Sequence, residues 1–138
     1  MARHEHLPLY KTSLELCLLL ETAVRQFPRY HKYAIGNDLR QEARNLIRLV
    51  VRANQARNKQ QTLIELREAS EEMKLLVHLA FEVNAFTNKG QFSQAAKLAV
   101  EVARQSEGWL RAQVRGNVPN LEPGSQLQTG PEFDGENP

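Results

Sequence analysis

LRQEARNLIRLVVR, residues 39–52, interleaves two patterns that read together as an α-helix. Leu39, Ala43, Leu46, Ile47, Val50 and Val51 recur at three and four spacings, so one side of the segment can be buried. Arg40, Arg44, Arg48 and Arg52 recur at a strict spacing of four along the flank of that side. Advancing about 100° per residue, each arginine lies about 40° further around than the last, and the row becomes a slowly winding stripe beside the core face. It has no counter-charge of its own. From Arg25 to Lys59 nine Lys and Arg face only Asp38 and Glu42, +7 by count. Like charges one turn apart repel by about 0.2–0.5 kcal/mol per pair, so a polyanionic partner is expected to make the row worthwhile.

Working outward, Pro8 suits the first turn of a first helix, and Leu14, Leu16, Cys17, Leu18, Leu19, Leu20, Ala23, Val24 and Phe27 carry that helix to Phe27-Pro28. Its middle is apolar almost all round. Either a second subunit covers it or it is a central helix covered by its own chain. After a turn through Arg29, Tyr30 and His31, the second helix is expected from about Tyr33 to Asn58, with Gly36 permitting a close backbone approach. Asn58-Lys59 marks the next turn. The third helix is expected from about Gln60 to Thr87 on the periodicity of Leu63, Leu66, Ala69, Met73, Leu76, Val77, Ala80, Val83 and Phe86, with Glu65, Glu68, Glu71 and Glu72 on its outer face. Asn88-Lys89-Gly90 reads as a C-cap and turn. Phe92, Ala95, Ala96, Ala99, Val102, Ala103, Trp109, Leu110 and Val114 then define a fourth helix, with Trp109 in the core and with Lys97, Arg104, Arg111 and Arg115 on the opposite side. The fold class is therefore all-α: an up-down-up-down antiparallel four-helix bundle.

Charge divides the chain in two. Residues 1–115 hold all 18 Lys and Arg and 12 acids, a balance of +6, and form the bundle domain; residues 116–138 hold four acids and no base, −4. The second segment is rich in Gly, Pro, Asn and Gln, a composition expected to stay disordered and to compete with nucleic acid for the arginines. A single cysteine, Cys17, in an apolar run suits a buried inert thiol in a reducing cytoplasm. Leu14 to Leu20 is too short to cross a bilayer, so no membrane association is expected.

Catalytic patterns are missing. Neither His31 nor His78 has a Glu three residues before it, as a di-iron bundle would need, and no Gly-rich phosphate loop occurs. His4-Glu5-His6 reads as a frayed end rather than a metal site, Cys17 lacks a base, and His78 reads as a satisfied or interface histidine. Neither an enzyme nor a cofactor or metal is expected. The arginine row has a plain alternative, a solvated face whose long stems cover apolar neighbours. Three features favour phosphate instead: the row is all Arg, no acid interleaves at four, and Arg25, Arg29 and Lys32 extend the basic field at the adjoining turn. The expected nucleic-acid-binding residues are Arg25, Arg29, Lys32, Arg40, Arg44, Arg48, Arg52, Arg104, Arg111 and Arg115. Binding by such a surface is mostly non-specific and salt-sensitive.

Phe27-Pro28-Arg29 followed by His31-Lys32-Tyr33-Ala34-Ile35-Gly36, then Asn58-Lys59 with Leu63, then Gly108-Trp109-Leu110, resembles the accessory variability determinant family of diversity-generating retroelements. That family lies within the four-helix-bundle group that includes proteins encoded in ribosomal-RNA intervening sequences. The resemblance covers residues 9 to about 115. It implies a homopentameric barrel of bundles with a basic surface, which binds RNA or DNA and associates with the reverse transcriptase to support mutagenic complementary-DNA synthesis. Two departures lower the positive charge: Glu107 precedes Gly108-Trp109, and His78 stands where the family often has a basic residue. The competing expectation is a structural protein-interaction bundle of the intervening-sequence type, without nucleic acid.

Overall fold

A computed structural model describes residues 3–117. The acidic segment beyond them, with the role expected for it, lies outside the described residues. Four long helices form a helical bundle: α1 (Pro8–Arg25), α3 (Ile35–Gln55), α4 (Gln60–Glu82) and α5 (Lys89–Asn117), with a short α2 (Arg29–Lys32) between the first two. Helix α1 packs on α3 and α5, and α4 packs on α3 and α5, so α3 and α5 occupy a diagonal. Among the described residues there is no strand, and no helix is long and apolar enough to cross a membrane.

The periodic residues build the core. Leu39, Ala43, Leu46 and Val50 of α3 are buried against Leu16, Leu20 and Val24 of α1, Leu63, Leu66, Met73 and Val77 of α4, and Ala95, Ala99 and Val102 of α5. Ile47, Val51 and Trp109 are partly buried, Trp109 packing on the core's edge. Most of the apolar middle of α1 is covered by the chain itself. Leu18, 59 % exposed, is what remains uncovered there. Cys17 is buried, and that burial, with Glu21 adding to it, pushes its thiol pKa up, which suits an inert side chain. Ser70 and Ser106 meet in the interior at 3.2 Å, each hydroxyl also reaching the carbonyl four residues before it, Leu66 and Val102.

Helix ends depart from the sequence expectation for identifiable reasons. The second predicted helix begins two residues later, at Ile35, because Pro28 starts a separate turn, α2, in which the Lys32 N–H donates to the Pro28 carbonyl at 2.9 Å. Helix α4 stops at Glu82 rather than near Thr87 because Asn84 adopts φ 64°, the left-handed conformation that terminates helices. Asn88 accordingly caps the start of α5 rather than the end of α4: its Oδ1 accepts the Gln91 N–H at 3.0 Å. Residues His4–His6 are not frayed, but form a 3-10 turn with the His4 ring 4.8 Å from that of Tyr10.

Gly36 is the close approach its position implies. A Cβ there would meet Val24 Cγ1 at 2.7 Å and the His31 carbonyl oxygen at 3.0 Å, so only glycine lets α3 start beneath α2 and against α1. Beside it Phe27 is buried edge-on to Phe86, with centroids 5.1 Å apart, and Thr87 Oγ1 donates to the Gln26 carbonyl at 3.3 Å. These contacts fasten the α1–α3 corner to the α4–α5 connection.

Candidate nucleic-acid interface

Because the arginine row winds, its members reach different neighbours. Arg44 donates to Glu21 of α1 at 2.7 Å, whereas Arg52, two turns further on, reaches Glu65 of α4 at 3.5 Å. About 40° per turn accounts for the swing from one flanking helix to the other. The row has no counter-charge of its own, and the acids that reach it come from other helices. Neither pair is sealed from solvent, since the arginine side chains are 53 % and 61 % exposed. Exposed pairs of this kind contribute about 0–1 kcal/mol, so a phosphate can displace the carboxylate. Arg48, between them, is exposed and has no ion-pair partner among the described residues. Arg40 is partly buried, and its Nε is shielded without a hydrogen-bond partner.

The ten basic residues do not form one patch. Arg104, Arg111 and Arg115 stand on α5, diagonal to α3. Two of them are bound to acids of their own helix: Arg104 Nε to Glu101 at 3.1 Å and Arg111 Nε to Glu107 at 3.3 Å. Hydrogen bonds from Arg104 and then Gln105 draw the Glu101 carboxyl down from 4.5 to about 2. Glu107, which precedes Gly108-Trp109, is thus the partner of Arg111. His78 is exposed and lies 3.6 Å from Glu82.

A second basic group surrounds α2. Arg25 and Arg29 are exposed and Lys32 is partly so, and none has an acidic partner among the described residues. Arg29 places its guanidinium carbon 5.7 Å from the centre of the Tyr33 ring. Sequence periodicity does not reveal this turn, because four residues are too few to show a period. The available signal is Tyr30 and Tyr33 set three apart among Arg29, His31 and Lys32.

Lys59 also has a role that spacing does not announce. Its ammonium donates to the carbonyl oxygens of Ala53, Asn54 and Ala56 at 3.0, 3.0 and 2.9 Å, closing the carboxyl end of α3. Asn58 Oδ1 accepts the Gln60 N–H at 3.1 Å and opens α4. The pair therefore ends one helix and starts the next.

A family model described as bAvd-like matches residues 11–113, from the first turn of α1 almost to the end of α5. The chain belongs to the bAvd-like family. No curated protein matches it. The bAvd-like match agrees with the family to which the Phe27-Pro28 turn and Gly108-Trp109-Leu110 point, and the family is of an accessory, non-catalytic kind. It spans every basic residue of the candidate interface except Arg115. Among the described residues, no group of three or more His, Cys, Asp or Glu is placed to hold a metal ion.

Proposed function

We propose that this chain is a non-catalytic, nucleic-acid-binding accessory subunit of a diversity-generating retroelement, acting in the cytoplasm on template RNA or complementary DNA together with the reverse transcriptase. The observation that carries this is the set of exposed arginines Arg44, Arg48 and Arg52 on α3, in a member of a family of accessory kind. In this proposal the long helices run up-down-up-down, supported by the short connections and by residue pairs such as Thr12 with Gln105 and Glu21 with Arg44. Copies assemble, into a pentamer by the family resemblance, through apolar side chains that one bundle leaves in solvent. Leu75 and Leu79 of α4, Val83 just past its end, and Leu18 of α1 are of this type.

Filter binding tests the central part. The variant R44Q/R48Q/R52Q is expected to keep its helical circular-dichroism signal and lose most retention of RNA and DNA, with a salt slope reduced by up to about 2. Unchanged retention removes the proposal. The internal partners Glu21 and Glu65 favour a second possibility, a protein-interaction bundle that uses no nucleic acid. In that case the unaltered protein shows no affinity for random strands even at low salt.

A further inference from the structure

We propose that Tyr30 and Tyr33, on the corner built by α2, form a stacking platform for unpaired nucleobases, so that the protein prefers single-stranded nucleic acid to duplex. This rests on the nucleic-acid-binding function proposed above and gives it a strand preference. Tyr30 is 79 % exposed and Tyr33 65 %, the two most exposed of the large apolar side chains described. They lie three residues apart, one turn, and thus share a side of the corner. Each ring has a polar neighbour: the His31 ring stands edge-on to Tyr30 at 5.2 Å, and Arg29 lies against Tyr33.

The corner is held from below rather than by the tyrosines. Phe27 is buried against Phe86, and the His31 carbonyl lies where a Gly36 side chain would be. The rings can therefore face solvent without contributing to the core. Charge selects the occupant. Arg25, Arg29 and Lys32 have no acidic partners among the described residues, so an entering phosphate chain displaces no carboxylate here, as it must at Arg44 and Arg52. A flat π-surface beside unanswered cations fits an unpaired strand, whose bases offer free faces and whose backbone offers charge. In a duplex those faces are already covered by neighbouring base pairs, and only the cations can engage.

The test compares a labelled oligothymidylate carrying one 2-aminopurine with a blunt duplex of equal length, read by anisotropy at two salt concentrations. Y30A/Y33A is expected to weaken the single strand about tenfold or more, leave the duplex and the salt slope unchanged, and abolish the 2-aminopurine quenching that the unaltered protein produces. Y30F/Y33F, which keeps both rings, is expected to behave like the unaltered protein, and circular dichroism checks folding of both variants. Equal loss on both probes, no loss on either, or a change only in assembled mass, which would make the rings a protein contact, overturns the platform and leaves nucleic-acid binding standing. No binding of either probe by the unaltered protein overturns both.

Discussion

The arginine row of α3 and the corner at α2 carry the same kind of charge in opposite circumstances. Along the row, Glu21 and Glu65 reach in from the flanking helices to Arg44 and Arg52. Around the corner, Arg25, Arg29 and Lys32 meet no acid among the described residues, and two aromatic rings stand beside them. The number of cations in a segment is therefore a poor guide to its electrostatic strength. A long, regular helix lies between two neighbours that can supply carboxylates, whereas a turn at the end of a bundle has fewer helix flanks beside it. The row is the more conspicuous feature in the sequence, and the corner is the less compensated feature in space.

The largest effect is expected from removing charge at each place separately. R25Q/R29Q/K32Q is expected to lower the salt slope of single-strand binding by about 2–3 and affinity by at least tenfold at low salt, whereas R44Q/R52Q lowers the slope by about 1 or less. Equal slopes for the two variants, measured by anisotropy from low to moderate salt, would break the distinction between them.

A smaller effect is expected from Gly36→Ala, which acts on the corner's seat alone. Its Cβ would overlap Val24 Cγ1 and press on the His31 carbonyl, costing about 1–3 kcal/mol and lowering the thermal midpoint. Displacing α2 is also expected to reduce the preference for single strands while duplex binding through α3 persists. A melting temperature equal to that of the unaltered protein would mean that the seat is looser than its distances imply.

The smallest concerns α5, where cations are most fully answered. In Arg104→Gln the Glu101 carboxyl loses its leading hydrogen-bond donor, so its midpoint is expected to rise from about 2 towards the ordinary 4.5, as read by carboxyl NMR shifts against pH. The sign follows from a folded pKa below the unfolded one: the stabilisation from Glu101 is present above pH 4.5 and is lost as pH falls towards 2. A midpoint unmoved by the substitution would mean that Gln105, rather than Arg104, holds the carboxylate.

Much of the bundle was legible in the sequence. Leu39, Ala43, Leu46 and Val50 occupy the core as their spacing requires, Pro8 and Pro28 bracket α1, and Gly36 marks a close contact. These are short-range facts, because a period of 3.6 residues or a ring that fixes φ acts within a few positions of itself. The end of α4 was not legible, since Val83 and Phe86 continue the apolar period past the point where Asn84 turns the backbone. Partial burial of Trp109 likewise depends on how deeply α5 sits among its neighbours.

What the sequence determined alone was therefore the helices, most of their buried faces, a split of charge between body and tail, and membership of a family recognisable by its turns. Only the tertiary structure decided which cations are neutralised and which rings face solvent. The acids that answer Arg44 and Arg52 lie 23 and 13 residues away, on other helices. An ion pair depends on distance in space, and no pattern within one helix specifies which neighbour's carboxylate comes within reach.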